Sequence, residues 1–159
     1  MRLMVLLAGI SLAATAAVAA SPLGTPVSGA RARAIMHERH EGMEAVGKSL
    51  KEIARELRGG SPNLAVVRAS ANRMANLSKR SAGWFRPGTG PNIGKTGAKA
   101  EIWQQPEDFA AKQRAFQQSA QAFNAAARSG DLTAVNARLG ELDRTCKACH
   151  DDYRTKMKH

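Results

Sequence analysis

From Met43 onward the apolar residues fall at Met43, Val46, Leu50, Ile53 and Leu57, in steps of three, four, three and four. That spacing places them on one stripe of an α-helix. Ile35, Met36 and Arg39 extend the same face backwards. "RGGSP" interrupts the pattern: Gly59 and Gly60 suit a helix C-terminus, and Pro62 suits the first turn of a new helix. A second stripe runs through Leu64, Val67, Ala71, Met74 and Leu77 and ends near Gly83. Residues 84–105, with "WFRPGTGPNIGKTGAK", make a long loop for a compact domain, so it is functional or wraps over something. Pro106, Glu107 and Asp108 restart a helix with acids in its first turn. Phe109, Phe116 and Phe123 recur along it at seven-residue steps, and Gly130 closes it. The last stripe is Leu132, Val135, Leu139, Leu142, Cys146, Cys149 and Tyr153.

Period-two alternation is absent, so no strand is predicted. The pattern predicts an all-α fold: an antiparallel up-down-up-down four-helix bundle with a long loop between helices 2 and 3. The first twenty residues, "MRLMVLLAGISLAATAAVAA", carry one Arg and then no charge, and end in small residues. They read as a signal peptide cut after Ala19 or Ala20, in preference to a retained membrane anchor. Residues 21–29 read as a flexible lead and residues 30–159 as the single bundle domain.

Composition changes this picture only through charge and cysteine. Without Arg2 the chain carries 23 Lys and Arg against 13 Asp and Glu, a formal +10. Nucleic acid is excluded as a partner, because an exported protein does not meet it and the sparse aromatics form no basic stacking platform. The charge reads as a solvated surface that favours acidic redox partner proteins or anionic cofactor groups. No membrane association is expected after cleavage of the signal.

Both cysteines lie in "RTCKACHDDYR". Cys146 and Cys149 are at i and i+3 of the last stripe, and His150 is at i+4, so all three share one side of a helix. A disulfide is the ordinary use of two exported cysteines, but three residues of helix strain such a bridge. Zinc would want a fourth ligand from His37, His40 or His159. A thioredoxin-like motif would want a preceding strand. C-x-x-C-H is the attachment signature of c-type haem: the two thiols form thioethers to the porphyrin, and the adjacent histidine becomes an axial iron ligand.

The C-terminal "CKACHDDYR", the loop "WFRPGTGP", "EIW" with the following "AFQ" helix, and "RHEGM" in the first helix resemble class II cytochromes c. These are the cytochrome c′ family, a standard example of the up-down-up-down bundle, and its six-coordinate, methionine-ligated relatives. The resemblance implies one haem c per chain, with Cys146 and Cys149 as thioethers and His150 as proximal ligand. It also implies that Arg39 lies near a haem propionate, that Arg154 lies beside the proximal pocket, and that Trp84 and Phe85 pack near the haem edge. Met43 takes the distal position, as an iron ligand or as core packing. Met36 is the weaker distal candidate, Met74 reads as core, and His37 and His40 read as surface residues. The function expected is one-electron transfer in the periplasm by a non-enzymatic carrier. One alternative is a five-coordinate haem protein that binds nitric oxide or carbon monoxide. Another is an exported bundle with a Cys/His metal site and no haem. The resemblance further implies a homodimer formed through the first two helices.

Overall fold

The computed structural model describes residues 21–156. The segment read as a signal peptide and the candidate zinc ligand His159 lie outside the described residues. Four long helices carry the fold: α1 (Gly29–Arg58), α2 (Leu64–Arg80), α4 (Pro106–Ser129) and α5 (Leu132–Tyr153). A single-turn helix α3 (Glu101–Gln104) interrupts the long loop.

Several helix ends have a local cause. Asn63 caps α2, its side chain accepting from the backbone N–H groups of Ala65 and Val66. Pro62 therefore lies before the cap and not within the first turn. Asp131 caps α5 in the same way through Thr133 and Ala134. Pro106 opens α4 with Glu107 and Asp108 in its first turn, and Gly130 ends it at φ 80°, a left-handed position that favours glycine.

The buried faces follow the predicted stripes. Val46 and Ile53 of α1 meet Val67, Ala71 and Met74 of α2, Phe116 and Phe123 of α4, and Val135 and Leu142 of α5 in one cluster. Leu132 departs from its stripe and is 40% exposed. It is the first residue of α5, where the helix has not yet turned onto the core. A second cluster joins the loop to the bundle end: Leu23, Trp84, Phe85, Ile102, Phe109 and Tyr153. Removing a large ring from either cluster, such as Phe123, would cost about 3–5 kcal/mol.

Backbone packing runs α1 on α2, α2 on α4 and α4 on α5, whereas α1 and α5 scarcely approach one another. A seam between the first and last helices is thus left to side chains and the loop.

The expected flexible lead is docked instead. Leu23 is buried in the second cluster, and the Val27 N–H donates to Pro87 O at 2.9 Å. The reason is close approach at Gly88: at φ 87° it has no side chain, and an added Cβ would lie 2.0 Å from Val27 O.

Two glycines of α1 have opposite surroundings. A Cβ at Gly42 would sit 2.2 Å from Cη2 of the buried Trp84, whereas one at Gly47 would meet nothing within 4 Å. Gly42→Ala is expected to lower stability by about 1–3 kcal/mol through overpacking. Gly47→Ala is expected to raise it by up to about 1 kcal/mol through helix propensity. Urea denaturation of both variants checks the pair, and a shift of the same sign in both would contradict the packing.

Candidate functional site

Cys146 and Cys149 are free thiols, each half-buried on the inward side of α5. Cys146 packs against the central cluster and Cys149 against the loop cluster. The C-x-x-C turn therefore straddles the junction of the two cores. Burial pushes both thiols up to about 11. A redox-active pair needs a depressed thiol pKa, so the thioredoxin-like alternative has no support in these surroundings.

His150 is exposed at the edge of the same turn. Partial desolvation first, and the nearby Arg154 charge second, hold its imidazole below the usual histidine range. It is therefore mostly neutral near pH 7, the form that can donate a lone pair to a metal. Among the described residues, the three-ligand grouping of metal-binding atoms is His40, Glu41 and Glu44, exposed on α1. Cys146, Cys149 and His150 do not converge in that way, as a closed zinc site would require. Two unpaired thiols one turn apart with a neutral imidazole beside them, on a helix whose backbone stays apart from α1, fit thioether attachment of a flat ring.

Across that seam lies α1. Met43 is half-buried and packs against the loop cluster, the same cluster that Cys149 touches. The structure thus brings the predicted distal residue and one predicted attachment residue to one set of aromatic side chains. Met36 lies beside the middle of the loop, with its Cε 3.6 Å from where a Gly94 Cβ would be. Met74 is fully buried in the central cluster. His37 and His40 are exposed, and His40 Nε2 lies 3.3 Å from Glu44 Oε1.

Arg39 is where the geometry adds most to the sequence. It is only 4% exposed and has no carboxylate partner among the described residues. Nη1 donates to Trp84 O and Thr89 Oγ1, both at 3.1 Å. Nη2 donates to Thr89 O at 2.9 Å and to Thr96 Oγ1 at 3.0 Å. The guanidinium also lies 5.2 Å from the Phe85 ring centroid and 5.8 Å from that of Trp103. Burial brings its pKa down to about 10, still charged near neutrality. The sequence reading gave this buried charge a haem propionate as its partner; the loop supplies four acceptors to its two terminal nitrogens and leaves the Nε–H free.

Trp84 and Phe85 form the plate between this clamp and the site. Trp84 lies against Gly42, the neighbour of Met43. Its buried indole N–H makes no hydrogen bond of ordinary geometry, although it adds to the effect of Arg80 in lowering the Glu38 pKa. Trp103 donates from Nε1 to Phe85 O and Arg86 O, both at 3.1 Å. Arg154 is exposed at the C-terminus of α5, and its backbone bridges to Ala98. Lys99 and Thr155 donate to Tyr153 O and Gly97 O, so the loop is tied to the helix that carries the C-x-x-C-H turn.

Thr89 and Thr96 as acceptors, Gly42 as the seat of Trp84 and Trp103 as a second clamp were not expected from the sequence. Only Gly42 left a signal: an isolated glycine inside a helical stripe usually has a packing reason.

The family described as Cytochrome C′ matches residues 34–154, from before the clamp to the end of α5. A cytochrome c′ of Allochromatium vinosum is 35% identical over 121 residues, which is 74% of this chain and 78% of that one. A solved cytochrome c′ described by its ligand-controlled dimer dissociation is 31% identical, with a TM-score of 0.73 over 80% of this chain and 99% of that one. A ferrous variant of the Alcaligenes xylosoxidans protein with bound nitric oxide is 29% identical, with a TM-score of 0.72 over 81% and 99%.

Tyr153 tests the tie between α4 and the helix that carries the C-x-x-C-H turn. Its hydroxyl donates to Asp108 Oδ2, and its ring meets Phe109 edge-on at 5.2 Å. Tyr153→Phe keeps the ring and loses the hydrogen bond. It is expected to cost about 0.5–1.5 kcal/mol in chemical denaturation; no loss would show that the hydroxyl contributes nothing.

Proposed function

The chain belongs to the cytochrome c′ family, and from that premise we propose that it is a periplasmic one-electron carrier. It is a haem c protein with one covalent haem per chain. When bound, that haem supplies a one-electron iron couple and an axial position for a second ligand. Cys146 and Cys149 would anchor the ring to α5, and His150 would offer its imidazole to the iron. The supporting observation is the single turn of α5 that gathers two free thiols and a lone-pair donor beside the α1–α5 seam.

Several features suit the carrier role. His150 stands at the surface, so an electron has a short route out on that side. The net positive charge favours encounter with acidic partners. Among the described residues, no helix is long and apolar enough to cross a membrane. The relative with ligand-controlled dimer dissociation supports a homodimer here.

A second reading has its own observation. Met43 is a tooth of a regular apolar stripe, held by aromatic packing. Held there, it screens the iron without binding it and leaves a site for a small neutral gas. The nitric oxide complex of the Alcaligenes protein favours this reading.

Optical spectra separate the two. Haem absorbance that survives acid–acetone extraction supports the covalent reading; its loss overturns both. A low-spin ferric spectrum that becomes high-spin in Met43→Ala identifies Met43 as a ligand. A high-spin spectrum, unchanged in Met43→Ala and shifting with carbon monoxide in the ferrous state, identifies gas binding.

A further inference from the structure

Four polar atoms of the loop take all four N–H bonds on the two terminal nitrogens of Arg39: Trp84 O, Thr89 Oγ1, Thr89 O and Thr96 Oγ1. Only the Nε–H is left for anything else. A buried guanidinium so engaged cannot also fork onto a carboxylate without giving up loop contacts. Its contacts are instead mechanical. One bond holds the backbone at Trp84, and its flat face lies over Phe85 and Trp103. Trp84 bears on Gly42, and Trp84 and Phe85 share a cluster with Met43 and Cys149. Arg39 itself stands one helical turn before Met43 on α1.

We infer that Arg39 is a positioning residue for the distal side. By clamping the Trp84–Phe85 plate to α1, it fixes how far Met43 closes the haem face opposite His150, and so how readily a small ligand enters. This rests on the haem reading above and differs from a propionate role in the residues through which it acts. The threonines separate the two. Thr89 and Thr96 hold Arg39 by their hydroxyls, and Thr89 is fully buried. Replacing both by valine keeps their shape and removes two acceptors from Arg39, together with the Thr89 hydroxyl's bond to Arg86 O and the Ala98 N–H bond to the Thr96 hydroxyl, while Arg39 and its charge remain.

The experiment uses the haem-loaded protein. Carbon monoxide association with the ferrous form is followed by stopped flow in Arg39→Gln, in Thr89→Val/Thr96→Val and in Thr89→Ser, with the ferric spectrum of each recorded. Covalent haem content is measured first; a wild type without it sinks the haem reading and not the clamp alone. The clamp predicts that association quickens by about 2- to 30-fold in both of the first two variants, the range for residues that modulate a site through others. It predicts the wild-type rate in Thr89→Ser, which keeps the hydroxyl. If the double threonine variant retains the wild-type rate, Arg39 does not act through the loop and the inference is overturned. That arm decides the matter even if Arg39→Gln fails to fold.

Discussion

A guanidinium with almost no exposed surface is the constraint around which this end of the bundle is built. Moving a charge out of water is costly unless it is paired or richly hydrogen-bonded. Arg39 meets no acid there, yet it is satisfied by two carbonyls, two hydroxyls and two aromatic faces. Those partners all come from the segment between α2 and α4. The cost of burying the charge thereby becomes the reason a long, glycine-rich loop has one conformation. The clamp also explains why α1 carries a glycine at position 42, since a fixed Trp84 leaves no room for a Cβ.

The opposite wall depends on helix periodicity alone. Residues 146, 149 and 150 share one side of α5 because three and four residues approximate a turn. What gives that turn its character is the junction of two hydrophobic clusters behind it. Burial keeps the thiols protonated and unreactive as free nucleophiles, while the neighbouring imidazole stays neutral and outward. Cys146 and Cys149 would hold a ring at that junction, beside the α1–α5 seam. The loop crosses above, tied at Ala98 and Lys99 to the last residues of α5. Both walls are thus connected through one segment with little regular structure.

This division also explains what could be read from the chain. Four helices, their buried stripes and the C-x-x-C-H turn were legible because each repeats at a period that the helix dictates. Met43 was legible as a tooth of such a stripe. The partners of Arg39 were not, because Thr89 and Thr96 lie 50 and 57 residues away in a segment with no period. A buried arginine announces that it needs partners, and chemistry alone offered a propionate as readily as a threonine. The docking of Leu23 and Val27 was hidden for the same reason: "SPLGTPVSG" has the composition of a flexible lead. Leu132 misled in the other direction, since a stripe predicts a face but not where the helix meets the core.

The central claim is that this chain is exported, cut, and loaded with one haem through Cys146 and Cys149. The intact mass of the protein recovered from the periplasm of a host with haem-attachment machinery tests it directly. The account predicts a chain beginning at Ala20 or Ser21 that carries the mass of exactly one haem through denaturation. It also predicts that this addition maps to the peptide holding Cys146 and Cys149. A denatured chain with the mass of bare polypeptide, or with a Cys146–Cys149 disulfide in place of the haem, would contradict it.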